Sequence, residues 1–331
     1  MQESAQGSRE TQSSYASYQA DEEKGFNIMF LTRSTRRGLL IRQVFNSQII
    51  LPSIQYRASH TNSTTLPPPI HSKWLSSIKS RVGKCIMFGL KPDQVAIAGR
   101  ILEEVAQDWR ELIAGSEGFL TGPLRRGLFR HNVVWGEMDV MSSMLSDWNK
   151  AHVNNVMYIR YAETGRINWT RNFAVHLDPK HKKEWLELIG NTGIGFILKS
   201  IKVDYKFPMT SPDQITVYHR LANRPPFPSS SDPEKYSNMN LEVMILSEAK
   251  QRPAARCEED IVLYDYRIGR KVSKLPHFML DQFRKTWELQ EESKWAYRLR
   301  AQAIERKLRS LETDSWDRED AVEDMGSAVS R

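Results

Sequence analysis

The order of apolar and polar residues predicts a helix, a strand, a long helix, four strands and a final helix. Residues 92–115 place seven apolar side chains at helical spacing, between Pro92 and Gly115: Val95, Ala98, Ile101, Leu102, Val105, Trp109 and Leu112. Residues 128–139, "LFRHNVVWGEMD", alternate as a strand does. Residues 154–174 carry an apolar stripe that predicts a long helix, despite Gly165 in its middle.

Four apolar, alternating segments follow the long helix. They cover residues 193–209, 213–223, 240–252 and 258–270, and polar or Pro-containing stretches separate them. Four successive strands with short connections predict an antiparallel sheet, and the long helix must bury its stripe against that sheet. The pattern therefore predicts an α+β architecture in layers.

The C-terminal sequence is rich in charges and in good helix formers, and we assign residues 281–315 to a long C-terminal helix. Apolar residues such as Phe283, Trp287 and Ile304 fall at helical spacing. This helix can dock on the body or on a partner, and a solvated amphipathic helix is the simpler interpretation. Residues 316–331 predict a disordered tail.

The N-terminal region changes character at Met29. Residues 1–28 are rich in Ser, Gln and Glu and predict a disordered extension. Residues 29–60 contain no acid, several arginines and an amphipathic apolar pattern, which is the composition of a mitochondrial transit peptide. Residues 61–91 include a Pro-rich stretch and are interpreted as a linker. Translation from Met29 rather than Met1 is our hypothesis for the unusual position of this signal.

The net positive charge of the chain comes from its N-terminal part. The 331 residues carry a net charge of +7. Residues 1–92 hold 12 Lys and Arg and 5 Asp and Glu, and the remaining residues hold 35 of each sign. The body therefore has no excess charge that would indicate a nucleic-acid partner. The two cysteines stand far apart without a His cluster, so we expect neither a disulfide framework nor a metal site. No apolar run reaches the length of a membrane span.

The candidate chemistry lies at the two ends of residues 135–169. "WGEMD" closes the first strand, and "HVNNVMYIRYAETGR" opens the long helix with Tyr158, Tyr161, Glu163 and Arg166. These motifs resemble the hotdog-fold thioesterases of the 4-hydroxybenzoyl-CoA thioesterase type, in their fungal mitochondrial form. The similarity extends over residues 114–276. It implies a single hotdog domain, a long central helix wrapped by an antiparallel sheet, here over residues 92–280 with an N-terminal helix included.

The resemblance implies an acyl-thioester hydrolase. Asp139 matches the catalytic carboxylate, as nucleophile or general base. The start of the long helix offers backbone N–H groups and the positive end of the helix dipole, which can polarise a thioester carbonyl. The N–H of Asn155 is the best donor, and His152 can orient a carboxylate or water. Asn154, Tyr158 and Glu163 are predicted to bind substrate or shape the site.

Residues 140–151 separate the two motifs by more residues than the resemblance leads us to expect. They can form a surface bulge, they can be a splice artefact of the gene model, or they can shift the register so that Asp147 replaces Asp139. A bulge or an artefact is preferred, because a slip by one residue would turn every side chain of the strand to the wrong face.

The resemblance also implies the partners. The substrate would be a thioester of CoA or of acyl carrier protein, without metal or organic cofactor, in a homodimer or a dimer of dimers in the mitochondrial matrix. A second hypothesis is a hotdog domain that has lost catalysis and serves as a structural or acyl-binding subunit of a mitochondrial assembly. A hydratase on this fold would need a different Asp and His arrangement on the helix.

Overall fold

A computed structural model describes residues 65–133, 152–226 and 238–321 of the chain. The five α-helices in these parts are α1 (Trp74–Met87), α2 (Pro92–Arg110), α3 (Asn155–Asn172), α4 (Lys182–Glu187) and α5 (His277–Asp314). The six strands in the same parts are β1 (Leu128–Asn132), β2 (Ile194–Tyr205), β3 (Gln214–Leu221), β4 (Asn238–Ser247), β5 (Arg252–Asp265) and β6 (Arg270–Lys271). Two π-helical turns, Glu111–Gly115 and Phe173–Leu177, extend α2 and α3.

The strands form one antiparallel sheet in the order β1-β3-β4-β5-β2, and β6 pairs with β5. The predicted strands at 193–209, 213–223 and 240–252 are confirmed as β2, β3 and β4. The last prediction was wrong at its start, since β5 begins at Arg252 and not at residue 258. Pro253 suggested a turn, but it lies beyond the last paired residues of β2 and β5, Tyr205 and Ala255, where a missing N–H is tolerated.

The predicted long helix is α3, and it lies on one face of the sheet, called here the inner face. Tyr158, Tyr161 and Ala162 pack in one buried cluster with Val217 and Val243 of the sheet. Gly165 sets the closeness of this contact, because a Cβ added there would lie 2.8 Å from His219 and 2.9 Å from Val217. The glycine that weakened the helical pattern is therefore a point of close approach between helix and sheet.

A helical layer covers part of the opposite, outer face. Helices α1 and α2 and the C-terminal half of α5 share a buried cluster with Tyr218, Met244 and Leu246 of the sheet. Interpreting all of residues 61–91 as a linker was therefore wrong, because α1 occupies 74–87. The proline stretch and the lack of acids hid a helical period, which its buried residues show: Trp74, Leu75, Ile78, Val82 and Cys85.

Helix α5 joins the two layers. Met279 and Phe283, in its first turns, pack on the inner side with Trp169 and Phe173 of the α3 region. Its second half belongs to the outer layer. The helix begins at His277, four residues before the predicted start at 281, directly after Pro276. The interpretation as a solvated helix was wrong, because α5 buries a stripe on both sides of the sheet.

No helix in the described ranges 65–133, 152–226 and 238–321 combines the length and the apolar character that crossing a membrane requires. The extension at 1–28 and the transit peptide at 29–60 fall outside the described residues and stay predictions. The predicted tail, 316–331, is described as far as residue 321, and its disorder was wrong at Trp316, which packs against the outer cluster.

Candidate functional site

The start of α3 is built by a short strand-like contact and a capping asparagine. His152 forms an isolated antiparallel bridge with Thr210, and the N–H of Val153 donates to the carbonyl of Met209 at 2.8 Å. Asn154 is the N-cap, and its side-chain oxygen accepts from the N–H of Val156 at 3.1 Å. The segment that opens the helix is thus tied to the 209–210 loop, which fixes where the helix begins.

One backbone donor at this helix start is left open. The N–H of Met157 donates to the carbonyl of Asn154 at 2.9 Å, and Val156 is bound by the cap. Within the described parts of the chain, no acceptor pairs with the N–H of Asn155, and Asn155 is exposed. This donor stands at the positive end of an 18-residue helix, where a negatively charged oxygen is stabilised.

Tyr158 and Glu163 were also predicted to bind substrate or shape the site, and they lie at different distances from the helix start. Tyr158 is buried one turn into the helix, and its hydroxyl accepts from the N–H of Met209 at 3.0 Å. The Tyr158 hydroxyl therefore helps to hold the 209–210 loop in place. Glu163 is exposed and lies eight residues beyond Asn155, about 12 Å along the helix axis. The structure brings His152, Asn154, Asn155 and Tyr158 together, and it does not bring Glu163 to the helix start.

The two candidate carboxylates, Asp139 and Asp147, lie outside the described residues, as does the rest of the segment 134–151. The predicted strand 128–139 begins as β1 at Leu128, and β1 is described as far as Asn132. Val133, the last described residue before the gap, still donates its N–H to the carbonyl of Asp213 at 2.9 Å. The catalytic assignment of Asp139 and the alternative Asp147 remain predictions.

A buried polar group between α3 and the sheet was not anticipated. Arg166 donates to Glu259 on β5 at 2.7 Å, although Glu163 stands closer in sequence. His219, beside them, donates from Nε2 to the carbonyl of Ala162 at 3.1 Å. Burial raises the pKa of Glu259 and lowers that of His219 to about 3, with the nearby Arg166 charge adding to the second effect. The sequence signal was a glutamate in an otherwise apolar strand face, which needs a buried partner.

Two lysines of β2 form surface ion pairs with β5. Lys199 pairs with Asp260 at 2.6 Å and Lys202 with Glu258 at 3.0 Å. A depression of about 540 Å³ lies beside Lys202 and Glu258, but on the outer face of the sheet, away from α3. In the described part of the chain, no group of His, Cys, Asp or Glu side chains could hold a metal ion.

Part of the chain is similar to a known protein family. Residues 133–283 match the model of the Thioesterase-like superfamily, a little under half of the chain. This range contains α3, β2 to β6 and the first turns of α5. The 4-hydroxybenzoyl-CoA thioesterase type and its fungal mitochondrial form stay predictions. No curated protein matches the chain.

Several solved structures are similar to part of the chain. A thioesterase from Thermus thermophilus, complexed with coenzyme A and Zn, is 23% identical over 41% of this chain and 82% of its own, with a TM-score of 0.30. A putative thioesterase from Pseudomonas aeruginosa is 19% identical over 45% of this chain and 91% of its own, with a TM-score of 0.32. A Staphylococcus aureus protein in complex with CoA is 12% identical over 49% and 87%, with a TM-score of 0.33. No residue role follows from similarities of this size.

Proposed function

We propose that the protein is an acyl-thioester hydrolase whose oxyanion site is the start of α3. The observation that carries this proposal is the open N–H of Asn155, exposed at the first position of a helix that is otherwise packed on the sheet. The match of residues 133–283 to the Thioesterase-like superfamily supports the reaction class. The substrate class is an acyl thioester of CoA or of acyl carrier protein.

In this mechanism the thioester oxygen accepts from the Asn155 N–H as the carbonyl carbon is attacked. The helix dipole adds to this stabilisation because the charge develops at the N-terminal end. We propose Asp139 as the carboxylate that attacks directly or activates water, and His152 as a group that orients it. Asn154 and Tyr158 act indirectly, by holding the helix start against the 209–210 loop.

Asn155→Pro tests the oxyanion donor directly, because it removes the N–H itself. Proline is tolerated at the first position of a helix, and it favours an extended residue before it. Asn154 already has φ −59° and ψ 140°, so the backbone accepts the change. We expect kcat for acyl-CoA hydrolysis to fall about 100-fold or more in this variant.

Asn155→Ala is the matched control, since it removes the side chain and keeps the N–H. It should retain kcat within a few-fold. Equal losses in both variants would show that the side chain acts instead, and unchanged activity in both would remove the oxyanion role from this position. Circular dichroism of both proteins confirms that α3 still forms.

The carboxylate is identified by Asp139→Asn and Asp147→Asn, each assayed against a panel of acyl-CoAs of different chain length. Loss of turnover in the first variant alone supports Asp139, and loss in the second alone supports the register shift. Transcript sequencing across codons 140–151 tests the splice-artefact hypothesis, which a continuous transcript containing all of them contradicts.

The alternative is a catalytically lapsed hotdog domain in a mitochondrial assembly. The added layer of α1, α2 and the second half of α5 favours it, because this whole layer lies outside the matched range. Absence of hydrolysis across the whole panel, with stoichiometric co-purification of a complex, would favour this second function over the first.

We also propose a homodimer, or a dimer of such dimers, located in the mitochondrial matrix. Light scattering during size-exclusion chromatography measures the oligomer, and a monomer would contradict the first part. N-terminal sequencing of the organellar protein tests the targeting segment at 29–60. A mature N-terminus upstream of Met29 would contradict it.

A further inference from the structure

Three arginines surround one exposed aromatic ring at the outer side of the β1 edge. The ring of Phe129 is 46% exposed. The guanidinium carbon of Arg126 lies 3.7 Å from its centroid, that of Arg130 lies 5.5 Å away and that of Arg110 lies 5.6 Å away. A solvent-facing phenylalanine with several guanidinium groups around it is a cation–π arrangement that leaves part of the ring open.

The charges of this group are only partly compensated. Arg110 is neutralised by the carboxylate of Glu248, which also accepts from Thr216. Arg130 has a 56% exposed side chain and reaches Glu248 only at 4.0 Å. Arg126 forms no ion pair with any residue in the described ranges. Two like charges next to one ring repel each other, and an anion bound between them removes this repulsion.

The backbone that carries Arg126 is held rigidly by α3. Asn172 donates to the carbonyl of Arg126 at 3.0 Å, and Asn168 donates to the carbonyl of Gly127 at 3.0 Å. A Cβ at Gly127 would lie 2.6 Å from the carbonyl oxygen of Gly165, so the loop rests directly on the helix. Because the loop is fixed before any ligand arrives, little conformational entropy is lost on binding.

The backbone at Arg130 is strained, which also points to a binding site at this edge of β1. Arg130 has φ +47°, a left-handed conformation that is uncommon for a residue with a side chain. It lies in a bulge where the pairing of β1 with β3 shifts between Leu128 and His131. Bulges re-aim side chains, and strained residues persist where the surrounding structure holds them.

We propose that Arg126, Phe129 and Arg130 form a binding site for the phosphorylated nucleoside moiety of a ligand, with the base against Phe129 and the phosphate on the two arginines. Guanidinium groups suit phosphate oxygens, and aromatic side chains stack on any base. The nucleotide is either free or the nucleotide end of a CoA thioester. Only the second source rests on the proposed hydrolase function.

Calorimetric titration of the full chain with ADP tests the site, with adenosine and inorganic phosphate as partial probes. The double variant Arg126→Gln/Arg130→Gln should weaken ADP binding about tenfold or more, because two charge-assisted contacts are lost. Phe129→Leu should weaken ADP and leave phosphate unchanged. Lys202→Gln, at the opposite edge of the sheet, is the control and should bind ADP as the wild type does. Melting temperatures confirm that each variant is folded.

Equal ADP affinity in the wild type and the double variant would overturn the proposal, as would the absence of ADP binding to the wild type. Phosphate bound as tightly as ADP would remove the role of Phe129. The source is distinguished by turnover. A raised KM for acyl-CoA but not for acyl-pantetheine in the double variant supports the nucleotide end of CoA, and an unchanged KM with loss of ADP binding supports a free nucleotide. Calorimetric titration measures ADP binding without turnover. Its result therefore stays valid even if the protein hydrolyses no thioester.

Discussion

His219 is a histidine that the fold keeps neutral. It is 2% exposed between α3 and β3, and its neighbours are the Arg166 charge, the Trp169 ring and the carbonyl of Ala162. Its pKa falls from 6.5 to about 3, first because burial disfavours the charged ring. The folded protein therefore binds fewer protons at this site than the unfolded chain between these two pKa values.

The lowered pKa of His219 makes the stability of the folded protein depend on pH. The stabilising contribution is fully present above pH 6.5 and declines as the pH falls towards 3, by at most about 1.4 kcal/mol per pH unit. We predict that His219→Gln, which keeps a donor for Ala162, loses less of its melting temperature than the wild type between pH 7 and pH 5. Glu259 has the opposite sign, since its raised pKa favours the folded state at low pH. Parallel melting curves for the two proteins would contradict the assignment.

Two glycines give a matched test of the helix–sheet contact. We predict that Gly165→Ala destabilises the protein by about 1–3 kcal/mol, because the new methyl group overlaps His219 and Val217. Gly99→Ala is the control, since nothing lies within 4 Å of its Cβ position and it stands on the exposed side of α2. The control should gain up to about 1 kcal/mol from helix propensity. Urea denaturation measures both, and equal changes would refute the contact.

Among the single residues, the sequence predicted the helix start and missed the buried polar pair. The resemblance placed Asn154 and Asn155 at the helix start, and the capping by Asn154 that agrees with it is a local effect, decided within a few residues. Arg166 and Glu259 could not be paired, since they stand 93 residues apart in the sequence. Distant partners of buried charges depend on tertiary packing.

At the scale of the elements, strands and helices were predicted where one periodicity covered the segment. Helix α3 and strands β2 to β4 follow this rule. Helix α1 was missed because Ser and Lys fill its exposed side and a proline stretch precedes it. The start of β5 was missed because Pro253 is tolerated only through its position past the end of β2, which the sequence does not contain.

Helix α5 offers an element-scale prediction. Leu308 is fully buried in the outer layer, whereas Leu299 on the same helix is 39% exposed. We predict that Leu308→Ala costs about 2–5 kcal/mol of unfolding free energy. Leu299→Ala should change it by no more than about 0.5 kcal/mol, as surface substitutions do. Similar losses in both variants, measured by urea denaturation, would show that the second half of α5 does not dock as described.

At the scale of the whole molecule, the family match is shorter than the folded unit. Residues 133–283 lack α1, α2, β1 and most of α5. Without them, Tyr218, Met244 and Leu246 lose the layer that covers them. Large exposed apolar patches lead to association.

We therefore predict that a fragment of residues 133–283 aggregates or fails to melt cooperatively, while residues 65–331 give one cooperative transition. Light scattering and calorimetry on the two fragments check this. A monomeric, cooperative short fragment would show that the outer layer is dispensable for folding. The fold class was predictable because hydrophobic periodicity is a chain-wide signal, but the outer layer was not, because its docking depends on which sheet face stays apolar.

Helix α5 also fixes the angle, about its own axis, between the buried stripes of its two halves, which pack on opposite sides of the sheet. It spans 38 residues without interruption, about 57 Å. The side chain of Gln290, near the middle of the helix, makes two hydrogen bonds to Leu221 at the end of β3. Its oxygen accepts from the N–H of Leu221 at 2.9 Å, and its nitrogen donates to the carbonyl of Leu221 at 3.2 Å. One residue inserted after Gln290 would turn the whole second half by about 100°, so that Ile304 and Leu308 would face away from their cluster. An insertion of seven residues returns almost to the starting angle but shifts the stripe along the axis. The length of α5 between the two cores is therefore constrained more tightly than the residue types on its exposed side. An alanine inserted after Gln290 should lower the melting temperature far more than one inserted after Asp314.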